Sequence, residues 1–306
     1  MELLTGEALS VKAQDIFGSP AGLFLGMLLA RTTPPRFGYW LARRMARWMR
    51  RSRYDMFRTL RENLSYVVQA NDTKLDDLAE EALYQAGCCY FDMFHYRPKD
   101  ILAKEIVQYD PEEWAQASRL FADERGTIAV GAHLSNYDLA AQWFVLQGFG
   151  LQALSLPNPD RGDRVINDLR RERGIEVTPI SVRSLRDAVR RLRQGGVIIT
   201  GVDRPVTHEE DATLFFGAPA VLPRGHIRLA LQTNSRALVV YCLRQPDGHY
   251  RLHLSDGIDM VRTGDRKRDI EVNTRRVLTL IEDSIRSAPE QWVMLTPVWR
   301  RPGEKA

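Results

Sequence analysis

The sequence has little cysteine. Its 306 residues contain three, Cys88, Cys89 and Cys242, two of them adjacent. That excludes a disulfide framework and leaves buried thiols in a reducing compartment as the expectation. Metal-ligand spacing is missing, so no metal and no cofactor is expected. There is no Gly-x-Ser-x-Gly elbow, which counts against a serine hydrolase of the α/β type, and no phosphate-cradling loop. The apolar stretch 21–30 is ten residues long, well short of the ~20 a membrane-spanning helix needs. It is expected to lie at an interface or in the core. Glu2 and Glu7, with no basic region before an apolar run, do not read as a signal peptide. Internal repeats and low-complexity linkers are also lacking.

The sequence is rich in locally concentrated charge. The formal net charge is +4. Residues 31–61 carry ten arginines against one acid, Asp55, so that block holds +9 and the remainder −5. A block of this kind points to an anionic surface. Residues 37–51 read as an amphipathic helix, with Trp40, Leu41, Met45, Trp48 and Met49 on one face. Arg43, Arg44, Arg47, Arg50 and Arg51 lie on the other. Such a helix either lies in a membrane surface or packs its apolar face on the core with arginines in water. No nucleic-acid motif accompanies the charge, so nucleic acid is not the expected partner. Further helices are predicted at 54–69 and 75–95.

From Gly126 the pattern changes to strands alternating with helices. Strands are predicted at 127–132, 151–156, 176–179, 197–202 and 237–243, with an antiparallel return at 250–254. Helices are predicted at 137–147, 160–173, 182–194, 224–233 and 269–287. Alternation of this kind implies an α/β fold with a mixed central sheet flanked by helices. The expected division is an N-terminal helical attachment segment, 1–95, and an α/β core, 96–306, read as one continuous domain because no linker separates them.

The densest chemistry lies between the strand at 127–132 and the helix that follows: His133, Ser135, Asn136 and Asp138. Ligand sites in α/β folds lie beyond the carboxyl ends of strands. Two readings stand side by side. Ser135 caps the helix and Asp138 completes a capping box. Alternatively, Asp138 reaches back to orient the His133 imidazole, which acts as a base. Asp203 and Arg204 occupy the same kind of position after the strand at 197–202. Asp168-Leu-Arg-Arg-Glu-Arg-Gly174 reads first as a basic helix end closed by glycine.

The segment Val130-Gly-Ala-His-Leu-Ser-Asn-Tyr-Asp138 resembles the His-x4-Asp/Glu motif of the lipid A biosynthesis acyltransferases, a family that includes phosphatidylinositol mannoside acyltransferases. Ser135 stands where the usual form has glycine. The resemblance continues through Val202-Asp-Arg204, Phe215-Phe-Gly217 and Pro223-Arg-Gly225, and ends near Glu290-Gln-Trp292, so it covers most of the chain. It implies an acyltransferase-like fold and transfer of a fatty acyl group from an acyl thioester, on coenzyme A or acyl carrier protein, to a hydroxyl of a glycolipid or related lipid. His133 would be the general base and Asp138 its partner. Among Asp203, Glu209, Glu210 and Asp211 the second supporting acid stays open. Asn136 or backbone N–H groups would hold the oxyanion. Arg170, then Arg173, with Arg204, would face a substrate head group. The resemblance favours attachment to an anionic membrane, at the cytoplasmic face of the cell membrane. A non-catalytic lipid- or partner-binding protein on the same fold is the alternative.

Overall fold

The structure is a computed structural model and describes residues 20–96, 105–159, 161–206 and 211–299. Four helices come first: α1 (Pro20–Thr32), α2 (Pro35–Arg51), α3 (Asp55–Val67) and α4 (Asp72–His95). A short strand β1 (Val107–Tyr109) and helix α5 (Pro111–Ala122) follow. The alternating part then runs β2 (Thr127–Gly131), α6 (Tyr137–Leu146), β3 (Leu151–Ser155), α7 (Arg161–Glu172), β4 (Glu176–Pro179), α8 (Val182–Arg193) and β5 (Val197–Gly201). A small hairpin, β6 (Thr213–Phe215) and β7 (Ala218–Ala220), leads to α9 (Gly225–Thr233). The chain then makes β8 (Arg236–Arg244), β9 (Tyr250–Leu254), α10 (Arg266–Ser287) and a 3-10 turn, Pro289–Gln291.

Seven strands form one sheet in the order β1-β9-β8-β2-β5-β3-β4. All neighbours are parallel except β8 and β9. This is the mixed central sheet expected from the alternation. Successive residues of the central strands face opposite sides, as the pleat requires. Ile128, Val130, Ile198, Ala237 and Val239 join one core with α8, α9 and α10. Ala129, Val197, Ile199, Leu238 and Val240 join the other with α5 and α6. Helix α4 contributes to both, through Ala79, Ala82 and Leu83 to the first and Cys89 to the second.

The chain leaves β2 for α6 on one face of the sheet and leaves β5 for the hairpin and α9 on the other. The carboxyl ends of these adjacent strands therefore border a crevice, because their outgoing connections part company there.

The N-terminal helices correct one expectation. The face of α2 that packs inward is Gly38, Ala42, Ala46 and Met49, not the tryptophans. A Cβ at Gly38 would sit 2.2 Å from the Phe91 ring, and one at Gly87 2.7 Å from the Ala42 Cβ. Small residues thus let α2 lie close on α4. The same approach brings α2 and its neighbours against the acids of α4. Arg43 pairs with Glu81 at 2.5 Å, Arg50 with Asp77 at 2.7 Å and Glu80 at 2.9 Å, Arg53 with Asp76 at 2.7 Å and Arg61 with Asp76 at 2.6 Å. Much of the basic block is therefore neutralised within the fold. Among the described residues no helix is long and apolar enough to cross a membrane.

Candidate active site

Strand register builds the site. In the β2–β5 pair Gly131 lies opposite Gly201. Two residues further along each chain are His133 and Asp203, and they meet. The Asp203 carboxylate accepts from the His133 ring through Nδ1···Oδ1 at 2.7 Å and from the His133 backbone N–H through Oδ2 at 2.8 Å. The indole of Trp292 donates to the same Oδ2 at 2.8 Å. A Cβ at residue 201 would lie 3.2 Å from the His133 Cε1, so glycine there leaves room for the ring.

The electrostatics follow from this geometry. Asp203 is fully buried. Burial is the largest influence and pushes its carboxyl up, but the His133 charge and the hydrogen bonds from His133 and Trp292 outweigh it. The net result is a pKa below the ordinary carboxylate value. An ionised carboxylate opposite Nδ1 fixes the proton on that nitrogen, leaving Nε2 as the lone-pair nitrogen. The His133 side chain is 25% exposed, while its partner sees no solvent. This is the arrangement of an oriented general base: one nitrogen held, the other able to take a proton.

Asp138 does not take the expected place beside His133. Its carboxylate is held by Arg170 of α7, through Nε at 2.5 Å and Nη2 at 3.1 Å, and Arg170 also donates to Asn167 at 3.0 Å. Asp138 sits in the first turn of α6, where its side chain meets the neighbouring helix. The Tyr137 ring lies between the two groups, 5.3 Å from the His133 ring centroid and 5.8 Å from the Arg170 guanidinium. Arg170 is thus brought near the site, engaged with Asp138 and retaining N–H groups beyond those bonds.

Other expectations are also revised. Asn136, not Ser135, caps α6: its Oδ1 accepts from Leu139 N at 3.1 Å, and its Nδ2 donates to Cys89 O at 3.3 Å. Both ends of its amide are therefore committed inside the fold rather than to an oxyanion. Arg173 is buried and its Nη2 donates to Met93 O, and to Tyr96 O at 3.4 Å. These carbonyls close the C-terminus of α4, a favourable place for a guanidinium; burial nevertheless lowers its pKa. Arg204 is half-buried next to Asp203. Glu209 and Glu210 lie outside the described residues. Asp211 lies 3.6 Å from Arg224, and the carboxylate bonded to the imidazole is that of Asp203.

Sequence reasoning missed the segment that backs the site. Ser135 N donates to Gln291 O at 2.7 Å and Val293 N to His133 O at 2.8 Å. Gln291 exchanges two hydrogen bonds with the Arg244 backbone, at 2.8 and 2.9 Å. It also missed Asp92, fully buried, which accepts from Tyr39 at 2.7 Å and Tyr250 at 2.5 Å, with Arg244 Nε 3.7 Å away. Burial chiefly raises the Asp92 pKa. The apolar stretch Phe215-Phe-Gly217 is a hairpin turn, with Phe216 and Gly217 at positive φ, the two-residue geometry that suits right-twisted strands. Glu282 accepts from Phe216 N at 3.0 Å. The only sequence signal for Trp292 was its place at the end of the family pattern. The three cysteines are buried, and burial raises Cys88 to about 11 and Cys89 to about 12, which leaves little thiolate at neutral pH.

Ser135 explains the usual glycine. It has φ 51°, the left-handed region where a side chain costs about 1 kcal/mol or more. Its Oγ accepts from Arg244 N at 3.1 Å, but that N–H also reaches Gln291. We expect Ser135→Gly to lie within ~1 kcal/mol of wild type, because relieved strain, the lost bond and added chain entropy are each of that size. Ser135→Val should lose at least ~2 kcal/mol, since a β-branched residue fits this backbone poorly. Urea unfolding of the two variants checks both.

The fold and site are those of an α/β protein that holds a buried carboxylate against an imidazole in the crevice between two parallel strands. The comparisons place it in a family. Residues 6–301 match the bacterial lipid A biosynthesis acyltransferase family, and the chain belongs to that family. It is 26% identical over 179 residues to the phosphatidylinositol mannoside acyltransferase of Mycobacterium tuberculosis (strain CDC 1551 / Oshkosh), covering 57% of this chain and 54% of that protein. It is 24% identical over 180 residues to the protein of the same description from Mycolicibacterium smegmatis (strain ATCC 700084 / mc(2)155), covering 57% of each. The chain thus spans a little over half the length of these curated relatives.

Proposed function

We propose that this chain is an O-acyltransferase that moves a fatty acyl group from an acyl thioester, acyl-CoA or acyl carrier protein, to a hydroxyl of a glycolipid. Phosphatidylinositol mannosides are the acceptor class its relatives' names support. The observation that carries the reading is the His133–Asp203 pair at the β2/β5 crevice. In the proposed reaction, Nε2 takes the acceptor hydroxyl proton as its oxygen attacks the thioester carbonyl. The tetrahedral intermediate then collapses, breaking the C–S bond. The leaving thiolate recovers the proton from the imidazolium. Asp203 keeps Nδ1–H in place and balances the charge while the ring is protonated. The thioester is already activated, so no acyl-enzyme is needed. The test is thioester consumption by the purified chain with and without a lipid extract containing the acceptor class. Acceptor-dependent release of thiol with formation of acylated lipid is expected. Binding of lipid with no thiol release would favour a non-catalytic lipid-binding protein instead.

The site's substrate is a lipid, and a surface to meet it lies on the N-terminal helices. Phe37, Trp40, Arg44, Trp48 and Arg51 form one stripe of α2, with Trp40 57% and Trp48 47% exposed. Phe24, Leu25, Leu28 and Leu29 of α1 are exposed as well. Arg31, Arg36, Arg44 and Arg51 make no ion pair among the described residues, unlike Arg43, Arg47 and Arg50. In our reading this surface rests on an anionic membrane, as a monotopic attachment at the cytoplasmic face. Replacing Arg36, Arg44 and Arg51 by glutamine should weaken vesicle binding about 100-fold at low salt, at ~1 kcal/mol per arginine, and less at high salt. Replacing Arg43, Arg47 and Arg50 should chiefly loosen α2 on α4. Vesicle co-sedimentation at two salt concentrations, beside thermal melting, separates the two sets; equal vesicle binding by wild type and the first variant would remove the attachment surface.

A further inference from the structure

We propose that Trp292 is a positioning residue for the reaction, acting on His133 through Asp203; the inference rests on the reading of His133–Asp203 as the catalytic pair. Three observations carry it. Trp292 is fully buried, yet its indole N–H is given to the one carboxylate that holds the base, at 2.8 Å. The backbone around it pairs with the backbone of the base: Leu134 and Trp292 form an antiparallel bridge, flanked by Ser135 N to Gln291 O and Val293 N to His133 O. The indole also packs against Phe215, Phe216 and Trp299, with ring centroids 6.2 to 6.4 Å away, which fixes the ring that carries the donor.

The geometry gives each bond a separate task. A carboxylate can swing about its Cβ–Cγ bond, since that torsion is soft. Oδ1 alone, facing Nδ1, would leave the plane free to turn. Oδ2 is gripped by two donors, the His133 backbone N–H and the Trp292 indole. With both in place Oδ1 is aimed at Nδ1, and the ring with it. The His133 N–H belongs to the loop being positioned. Trp292 is the donor that comes from outside it, about 90 residues along the chain from Asp203, and ties the pair to the segment after α10. It touches neither the imidazole nitrogens nor, in this arrangement, the reacting atoms. Its effect should therefore fall on turnover and not on substrate binding.

The experiment compares Trp292→Phe, Asp203→Asn, the double variant and His133→Ala in the full chain, measuring kcat, KM and melting temperature with a thioester donor and the acylatable lipid. Phe keeps most of the apolar volume and removes the N–H. Trp292→Phe should lower kcat about tenfold or more, the usual weight of one bond to a charged group, with KM within about twofold. In the Asp203→Asn background the same change should have under about a twofold effect on kcat, because the amide that Trp292 then holds no longer keeps the proton on Nδ1. If Trp292→Phe unfolds, benzothienylalanine at position 292 keeps the ring shape without the N–H and makes the same comparison. Wild-type kcat in a variant lacking the N–H, with His133→Ala inactive, would overturn the proposal and leave the catalytic pair standing. Multiplicative losses in the double variant would overturn it too, since packing alone would explain them. An active His133→Ala protein would remove the pair itself, and the positioning role with it.

Discussion

His133→Ala should fold normally and lose at least about 10²-fold in turnover, up to ~10⁴-fold. The imidazole is the only group of the site whose second nitrogen is not held by another side chain among the described residues. Its neighbours do not depend on it for packing, because the side chain is 25% exposed. Removing it deletes one ring contact to Tyr137 and one bond to Asp203, while the backbone N–H of residue 133 still reaches Oδ2. The buried carboxylate then loses its charge partner, so a stability loss of a few kcal/mol is expected alongside the kinetic effect. Turnover at saturating donor and acceptor, read beside circular dichroism and a thermal melt, separates the two. Turnover near wild type in a folded variant would end the general-base reading.

Asp203→Asn should be almost as severe, with a loss on the order of 10²–10⁴-fold. An amide at this position can turn its NH₂ toward Nδ1. The imidazole then carries its proton on Nε2 and can no longer accept one there. The fold should survive, because the amide oxygen can still receive Trp292 and the His133 backbone; a cost of about 1–2 kcal/mol is reasonable. The pH dependence has a definite sign. Burial raises the Asp203 carboxyl, but the His133 charge and the hydrogen bonds lower it by more, so the folded value lies below the ordinary carboxylate value. Such a group contributes stability that is fully present above the unfolded value and is lost as pH falls through the lower, folded one. Wild type should therefore keep its full advantage over Asp203→Asn above about pH 5 and lose it progressively as the pH falls below about 4, through the lower folded value. Urea unfolding from pH 3 to 8 measures this. Asp138→Asn is the control. It weakens the Arg170 pair, so it should cost some stability and less than about tenfold in turnover. If Asp138→Asn instead matched the loss of Asp203→Asn at an unchanged melting temperature, Asp138 and not Asp203 would be the acid that serves the base.

The sequence by itself determined the elements. Alternation and apolar runs placed β2, β3, β4 and β5 to within a residue or so, and the predicted helix at 137–147 is α6. These signals are local: a strand buried on both faces, or a helix with one buried face, writes its period into a dozen consecutive residues. The same holds for His133, marked by its place at a strand's end, and for the buried thiols. Sequence proximity also suggested Asp138 as the partner of His133, and there it misled, because a residue five positions away is close along the chain without being aimed at the ring. Tertiary structure decided that partner. The sheet order puts β5 beside β2, and the Gly131–Gly201 register carries Asp203 to the imidazole from 70 positions away. It decided likewise which arginines face solvent, since the acids of α4 that neutralise Arg43, Arg50, Arg53 and Arg61 lie on a different helix. Trp292 reaches Asp203 from the far end of the chain for the same reason. Pairings between distant segments depend on packing of the whole sheet and its covering helices, and no local period records them.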